Sequence, residues 1–282
     1  MKFGLTIFPT ESTIAPIDLG RAVEENGFES LFLPDHSHIP ASRRTPYAAG
    51  GELPPEYWHL HDPLIALAAI APVTERLKLG IGLLVMTERD PITTAKQVAS
   101  LDQISGGRTL VGVGPGWNLE AMANHGLDPR KRTAVFVERV KAMRIIWTED
   151  EAEFHGRHVD FDPIWIWPKP LQKPHPPILV GGYGPSVLER VISLGDGWLA
   201  SGLHLDQDAL RLRIGELNRM AEEAGRTPMP VTVQLATPEL AALDAYAAMG
   251  VSRCTFRLQP REPKDVLDQI KRLAQLIQQW SQ

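Results

Sequence analysis

Short apolar runs alternate with longer amphipathic stretches along the whole chain. Strand patterns fall at Phe3–Phe8, Ser30–Leu33, Lys78–Val85, Thr109–Val113, Ile178–Gly181, Gly197–Ala200, Val231–Leu235 and Arg253–Leu258. Each is a brief, mainly apolar block of strand length. Helical periodicity occupies the intervals, at Ile17–Asn26, Pro63–Val73, Ile92–Ile104, Arg132–Trp147, Pro185–Leu194, Gln207–Ala224, Pro238–Met249 and Pro263–Trp280. Proline stands at or near the first turn of several, where a missing N–H costs nothing. Eight strand–helix repeats in 282 residues predict an α/β fold, a closed (β/α)8 (TIM) barrel. An open doubly wound sheet would place a glycine-rich turn after the first strand, and Phe8-Pro9-Thr10-Glu11 stands there instead.

Two connections exceed simple linkers, residues 34–61 and 149–177, and are expected as insertions in a single domain spanning 1–282. The second holds six prolines with Trp165 and Trp167, and reads as a stiff excursion packed over the barrel. The net charge of −5 is spread without a basic stripe, which argues against nucleic acid as a partner. One cysteine, Cys254, excludes an intrachain disulfide framework, and its strand context makes it a packing residue. The N-terminus enters a strand directly, with no secretory h-region. The apolar stretch Leu64–Val73 has about half of the ~20 residues of a membrane span. The expectation is a soluble, cytoplasmic protein with no membrane partner.

In a parallel barrel, chemistry gathers where the strands end. His36, just past the second strand, either reaches that mouth as a proton donor or acceptor, or bonds a loop carbonyl. Gly80 and Gly82 interrupt an otherwise apolar third strand, which marks either close approach of a flat group or tight core packing. Glycine-rich turns follow the fourth strand (Gly114-Pro115-Gly116-Trp117-Asn118) and the fifth (Gly181-Gly182-Tyr183-Gly184-Pro185-Ser186). Each opens toward a helix, where free N–H groups suit an anion. The pairs His36/His38 and His59/His61 raise a metal reading. His125, His175 and His204 lie in helical or loop contexts and complete no clean ligand set, so no metal is assigned. Arg257, at the last strand end, pairs either with an anionic ligand or with a structural carboxylate.

The ordered motifs Leu79-Gly80-Ile81-Gly82-Leu83-Leu84-Val85, Arg89-Asp90-Pro91, Leu101-Asp102-Gln103-Ile104-Ser105-Gly106-Gly107-Arg108, Gly112-Val113-Gly114-Pro115-Gly116-Trp117 and Gly195-Asp196-Gly197-Trp198 resemble the luciferase-like monooxygenase superfamily. Within it they look most like the coenzyme F420-dependent branch. The specific likeness covers roughly residues 75–200, with Pro34-Asp35-His36 fitting as well. The resemblance implies a homodimer acting on a small-molecule substrate, with a tricyclic ring over the third strand and a non-proline cis peptide beneath it at Gly82–Leu83. It places the cofactor's phosphate end at Gly114–Asn118 and Gly182–Ser186, and Asp35-His36 beside the reactive edge, with His36 catalytic. The expected function is F420-dependent hydride transfer. FMN with oxygen chemistry is an alternative, and a non-catalytic flavin carrier is a third reading. Pro115 stands where sugar-phosphate dehydrogenases of the family carry a catalytic glutamate, which argues against that reaction. Trp117, Trp165 and Trp167 are candidate apolar walls for the substrate.

Overall fold

The computed structural model describes residues 1–47 and 49–282. In chain order its elements are β1 (Lys2–Thr6), α1 (Pro16–Glu25), β2 (Ser30–Leu33), α2 (Pro63–Ile70), β3 (Lys78–Val85), α3 (Pro91–Ile104), β4 (Thr109–Gly114), α4 (Leu119–Asn124), α5 (Arg132–Thr148), β5 (Ala152–His155), β6 (Asp160–Ile164), β7 (Ile178–Gly181), α6 (Val187–Leu194), β8 (Gly197–Ser201), α7 (Gln207–Glu223), β9 (Val231–Gln234), α8 (Leu240–Ala248), β10 (Arg253–Arg257) and α9 (Pro263–Trp280). Eight parallel strands close in the order β1-β10-β9-β8-β7-β4-β3-β2, the expected (β/α)8 barrel. No helix among the described residues is long and apolar enough to cross a membrane.

Local chemistry sets the helix starts. Asp62 and Asp90 accept backbone N–H bonds at the heads of α2 and α3, each followed by proline, and Asp206 does the same for α7. Val266, Ile270 and Ala274 form the buried stripe of α9 at four-residue spacing. Strand ends are shorter than the apolar pattern suggests. β1 stops at Thr6, and β9 stops at Gln234 because Leu235 takes φ 57, which leaves the ladder.

Strand alternation divides the barrel interior into two halves. Phe32, Leu110, Leu179 and Leu199 pack together from β2, β4, β7 and β8, with Leu83 against them. The registers Thr6↔Arg257 and Arg253↔Thr232 line the β1, β10 and β9 wall with polar side chains. Gly80 faces the apolar half. A Cβ there would lie 2.4 to 2.6 Å from Phe32 ring atoms, so its missing side chain makes room for core, not for a ligand. Gly80→Ala is therefore expected to lower stability by about 1–3 kcal/mol, measured by urea unfolding.

The 149–177 segment is placed differently from expectation. It connects the end of α5 to the start of β7, so it lies at the N-terminal end and flank of the barrel, away from the mouth. Part of it forms an antiparallel hairpin, β5–β6, whose turn donates the N–H groups of Arg157, His158 and Val159 to Glu138 on α5. Lys169 Nζ ties it to the α5 C-terminus at Ile146 O, 2.7 Å, and Gln172 ties it to Asp102 on α3. Trp165 and Trp167 are 80% and 54% exposed on this side, so neither is a wall of the substrate site. A parallel barrel forces this. The connection that enters a strand lies opposite the one that leaves it.

Candidate functional site

A cavity of about 620 Å³ opens at the C-terminal mouth, within the ~300–1,000 Å³ usual for small-molecule sites. Its floor is built by an irregularity in β3. Between Ile81 and Leu84 the strand carries an extra residue relative to β4, and the Gly82–Leu83 peptide is cis. The bulge brings Leu83 into the mouth, over Gly114 and Gly181, where any Cβ would meet its side chain within 3 Å. These two glycines thus accommodate Leu83. Gly116 sits at φ 74, and Gly182 at φ 136 turns the chain out of β7.

Of the sequence-predicted site residues, Asp35, His36, Gly82, Leu83, Gly114, Gly116, Trp117, Gly181, Gly182, Tyr183, Gly184 and Ser186 line this cavity. Asn118 does not. Its buried side-chain oxygen accepts from Glu120 N and Ala121 N and so caps α4. Asp35 is likewise committed inside the protein. It takes a bidentate pair from Arg89, at 2.7 and 2.6 Å, and the N–H of Val85 at 3.0 Å. This joins the ends of β2 and β3, making Asp35 a positioning residue for its neighbour His36. Arg257 lines the cavity, pairs with Glu56 at 3.0 Å and lies over the Phe8 ring, so it has a structural carboxylate partner at the mouth.

His36 stands in an aromatic nest, with ring centroids 5.2 Å from Tyr57 and 6.1 Å from Trp117. Among the described residues it makes no hydrogen bond to protein. Desolvation by these rings pushes its pKa down to about 4, outweighing the pull of Asp35, so the imidazole is neutral at pH 7. The Tyr57 phenol is held well above its ordinary pKa, first by burial and then by its bond to Tyr47, 3.2 Å between hydroxyls. It stays protonated and can donate.

The opposite side of the cavity fits an anion. The N–H groups of Gly182, Tyr183, Gly184 and Ser186 have no protein acceptor among the described residues. Trp198 and Arg213 hold this loop from behind through the Gly182 and Gly184 carbonyls, both at 3.0 Å. Arg190 reaches in from α6. Its Nη1 bonds Ser186 Oγ at 2.6 Å, while its buried Nε has no partner among the described residues. A phosphate there would satisfy the free amides, with the Arg190 guanidinium beside it as counter-charge. Arg132 lies on the same rim.

Tyr47, Tyr57, Arg132, Arg190 and Gln234 escaped sequence reading. The tyrosines lie in an aperiodic insertion, and the arginines resemble ordinary surface positions of helices. Gln234 had a signal. In Val231-Thr232-Val233-Gln234 the polar residues alternate inward, toward the barrel axis.

The profile of the luciferase-like monooxygenase family matches residues 7–277. An uncharacterized protein of Mycobacterium tuberculosis is 36% identical over 279 residues, covering 97% of this chain and 98% of its own. An FMNH2-dependent dimethylsulfone monooxygenase of Pseudomonas putida is 32% identical over 145 residues, 50% of this chain and 40% of its own. The solved structure of a coenzyme F420-dependent tetrahydromethanopterin reductase from Methanopyrus kandleri superposes with a TM-score of 0.75 at 17% identity, covering 99% of each chain.

Proposed function

Because the chain belongs to the luciferase-like monooxygenase family, an oxidoreductase family, we propose that its mouth cavity binds coenzyme F420 and that the enzyme moves a hydride between this deazaflavin and a small organic substrate. The observation that carries the reading is the pairing of two unlike ends in one cavity. A neutral imidazole with no hydrogen-bond partner among the described residues stands at one side, and a loop of free backbone N–H groups beside the Arg190 guanidinium at the other. When bound, the deazaflavin supplies two-electron hydride exchange at a carbon where FMN has nitrogen.

The chain's own groups then have separate tasks. Gly182–Ser186 and Arg190 hold the phosphate, and Arg132 offers a second cation on the rim for an anionic tail. Gly82 and Leu83 offer backbone and an aliphatic side chain to a planar ring. Phe8, Tyr57 and Trp117 exclude water from the reacting edge. His36 takes a proton from a substrate hydroxyl at a ring nitrogen, or returns it when the reaction runs the other way. The aromatic lining favours a small, largely apolar substrate.

Reduced FMN with oxygen chemistry is the second reading, favoured by the likeness to the FMNH2-dependent monooxygenase. Parallel fluorescence titrations of the cofactor-free protein with F420 and FMN separate the two. F420 is expected to bind, with affinity about 10–100-fold weaker in Arg190→Ala, the loss of a hydrogen bond to a charged group. Tight FMN binding without any response to F420 would reject the deazaflavin reading.

A further inference from the structure

Four polar groups from three separate segments meet above the barrel rim, beside the cavity but not lining it. Ser37 and His38 follow β2, Glu88 follows β3 and His125 follows α4. The Ser37 hydroxyl lies 2.8 Å from Glu88 Oε2, 2.8 Å from His125 Nε2 and 3.0 Å from His38 Nδ1. The three atoms around it lie within 4.8 Å of one another. A hydroxyl has one proton and two lone pairs. It can donate to the carboxylate, so both imidazoles must donate to it. His38 meets that condition, because Asn124 Nδ2 donates to its other nitrogen, Nε2, at 2.9 Å. The Ser37 oxygen therefore marks a point on which two imidazole nitrogens and one carboxylate oxygen converge. Glu88 is only 9% exposed.

We propose that this cluster is a transition-metal site that takes Zn²⁺ through His38 Nδ1, His125 Nε2 and Glu88 Oε2, with water or the Ser37 hydroxyl in the fourth position. Two imidazoles and a carboxylate are a zinc donor set, and three protein ligands leave one position open. Nitrogen donors select Zn²⁺ and its transition-metal neighbours over Mg²⁺ and Ca²⁺. Placing an ion at the centre draws each ligand in from 2.8–3.0 Å to about 2.0–2.1 Å, a closure of under about 1 Å. That movement is available. His125 is exposed at the end of a short helix, and the exposed Ser37 side chain can turn outward. Each neutral imidazole changes tautomer through solvent, losing the proton on its central, ligating nitrogen and gaining one on its outer nitrogen. The Asn124 carboxamide, turned over, then accepts from His38 Nε2–H, the outer bond that metal-bound imidazoles ordinarily make.

The site's role is to pin. It would tie the segment that carries His36, two residues from His38, to the β3 turn and to α4. This inference does not depend on which coenzyme the cavity holds, and its test reads the metal alone. Chelator-treated protein is titrated with Zn²⁺ against a chromophoric competitor, and separately with Co²⁺, whose visible absorption reports a tetrahedral nitrogen–oxygen site. One equivalent is expected to bind, at least about 100-fold more weakly in His125→Ala and in His38→Ala. His125 is exposed, so its loss does not threaten folding, which circular dichroism checks. His59→Ala, which removes the separate His59–Glu11 pair, is expected to keep wild-type affinity. Absence of wild-type binding, or binding unchanged by His125→Ala, overturns the assignment.

Discussion

Replacing His36 by alanine is expected to lower kcat by about 10²–10⁴-fold, the usual contribution of a positioned general acid–base, while coenzyme affinity barely changes. The separation follows from geometry. His36 makes no hydrogen bond among the described residues, and the proposed phosphate cradle lies across the cavity at Gly182–Ser186. Paired kcat and coenzyme-binding measurements check it; full turnover in the alanine variant with a confirmed substrate would remove His36 from the mechanism. The pH dependence gives an independent signature. Burial lowers this imidazole from 6.5 to about 4, so its neutral form persists through neutral and mildly acidic solution. Activity that needs the neutral ring is expected to stay flat as pH falls past 6.5 and to drop only as pH approaches 4. An acid limb centred near 6.5 would contradict the buried placement. Stability has the same sign. Between those two values the unfolded chain binds a proton that the folded one refuses, so folding weakens as pH falls through that window.

Arg89→Met is expected to cost about 3–5 kcal/mol, because it strands the Asp35 carboxylate in the interior without a counter-charge. The Asp35 and Arg89 side chains are only 2% and 13% exposed, so solvent cannot compensate. Asp35→Asn is expected to cost less. There the guanidinium left behind still pairs with Asp62 at 2.7 Å, and that partner is 41% exposed. Urea unfolding of both variants tests the order, and equal losses would mean that Asp62 contributes nothing. The same pair holds Val85 N–H and thus the spacing between the ends of β2 and β3. Either change is therefore expected to lower kcat as well, by moving His36 relative to the Gly82–Leu83 edge.

Much of the fold was legible because a (β/α)8 barrel repeats one local rule. Apolar strand blocks such as Ser30–Leu33 and Ile178–Gly181 are buried on both faces, and helices such as α9 show a single buried stripe. Errors came where that rule stops. The 149–177 segment has proline and tryptophan but no periodicity, and nothing local says at which end of the barrel it lies. The β5–β6 hairpin within it depends on Glu138, a distant partner on α5.

The site was legible where backbone signals end strands. His36 and the glycine turns after β4 and β7 lie at such ends, and the structure gathers them around one cavity. The reasons for the glycines were only partly legible. Gly80, Gly114 and Gly181 are small because Phe32 and Leu83 fill the adjacent space, a fact about neighbours far along the chain. Asn118 lies outside the cavity lining and caps α4 with its side-chain oxygen, a local task that a glycine-rich turn opening onto a helix also requires.

Alternating hydrophobicity by itself determined the eight-strand barrel, its order of elements and the end at which chemistry gathers, since each depends on contacts that recur every few residues. Tertiary structure alone decided the state of the side chains. It desolvated His36 with Tyr57 and Trp117, set Arg190 beside the Gly182–Ser186 loop, and brought His38, Glu88 and His125 together from three segments. The physical reason is that charge and proton affinity respond to whatever lies within a few ångströms in space, at any separation along the chain.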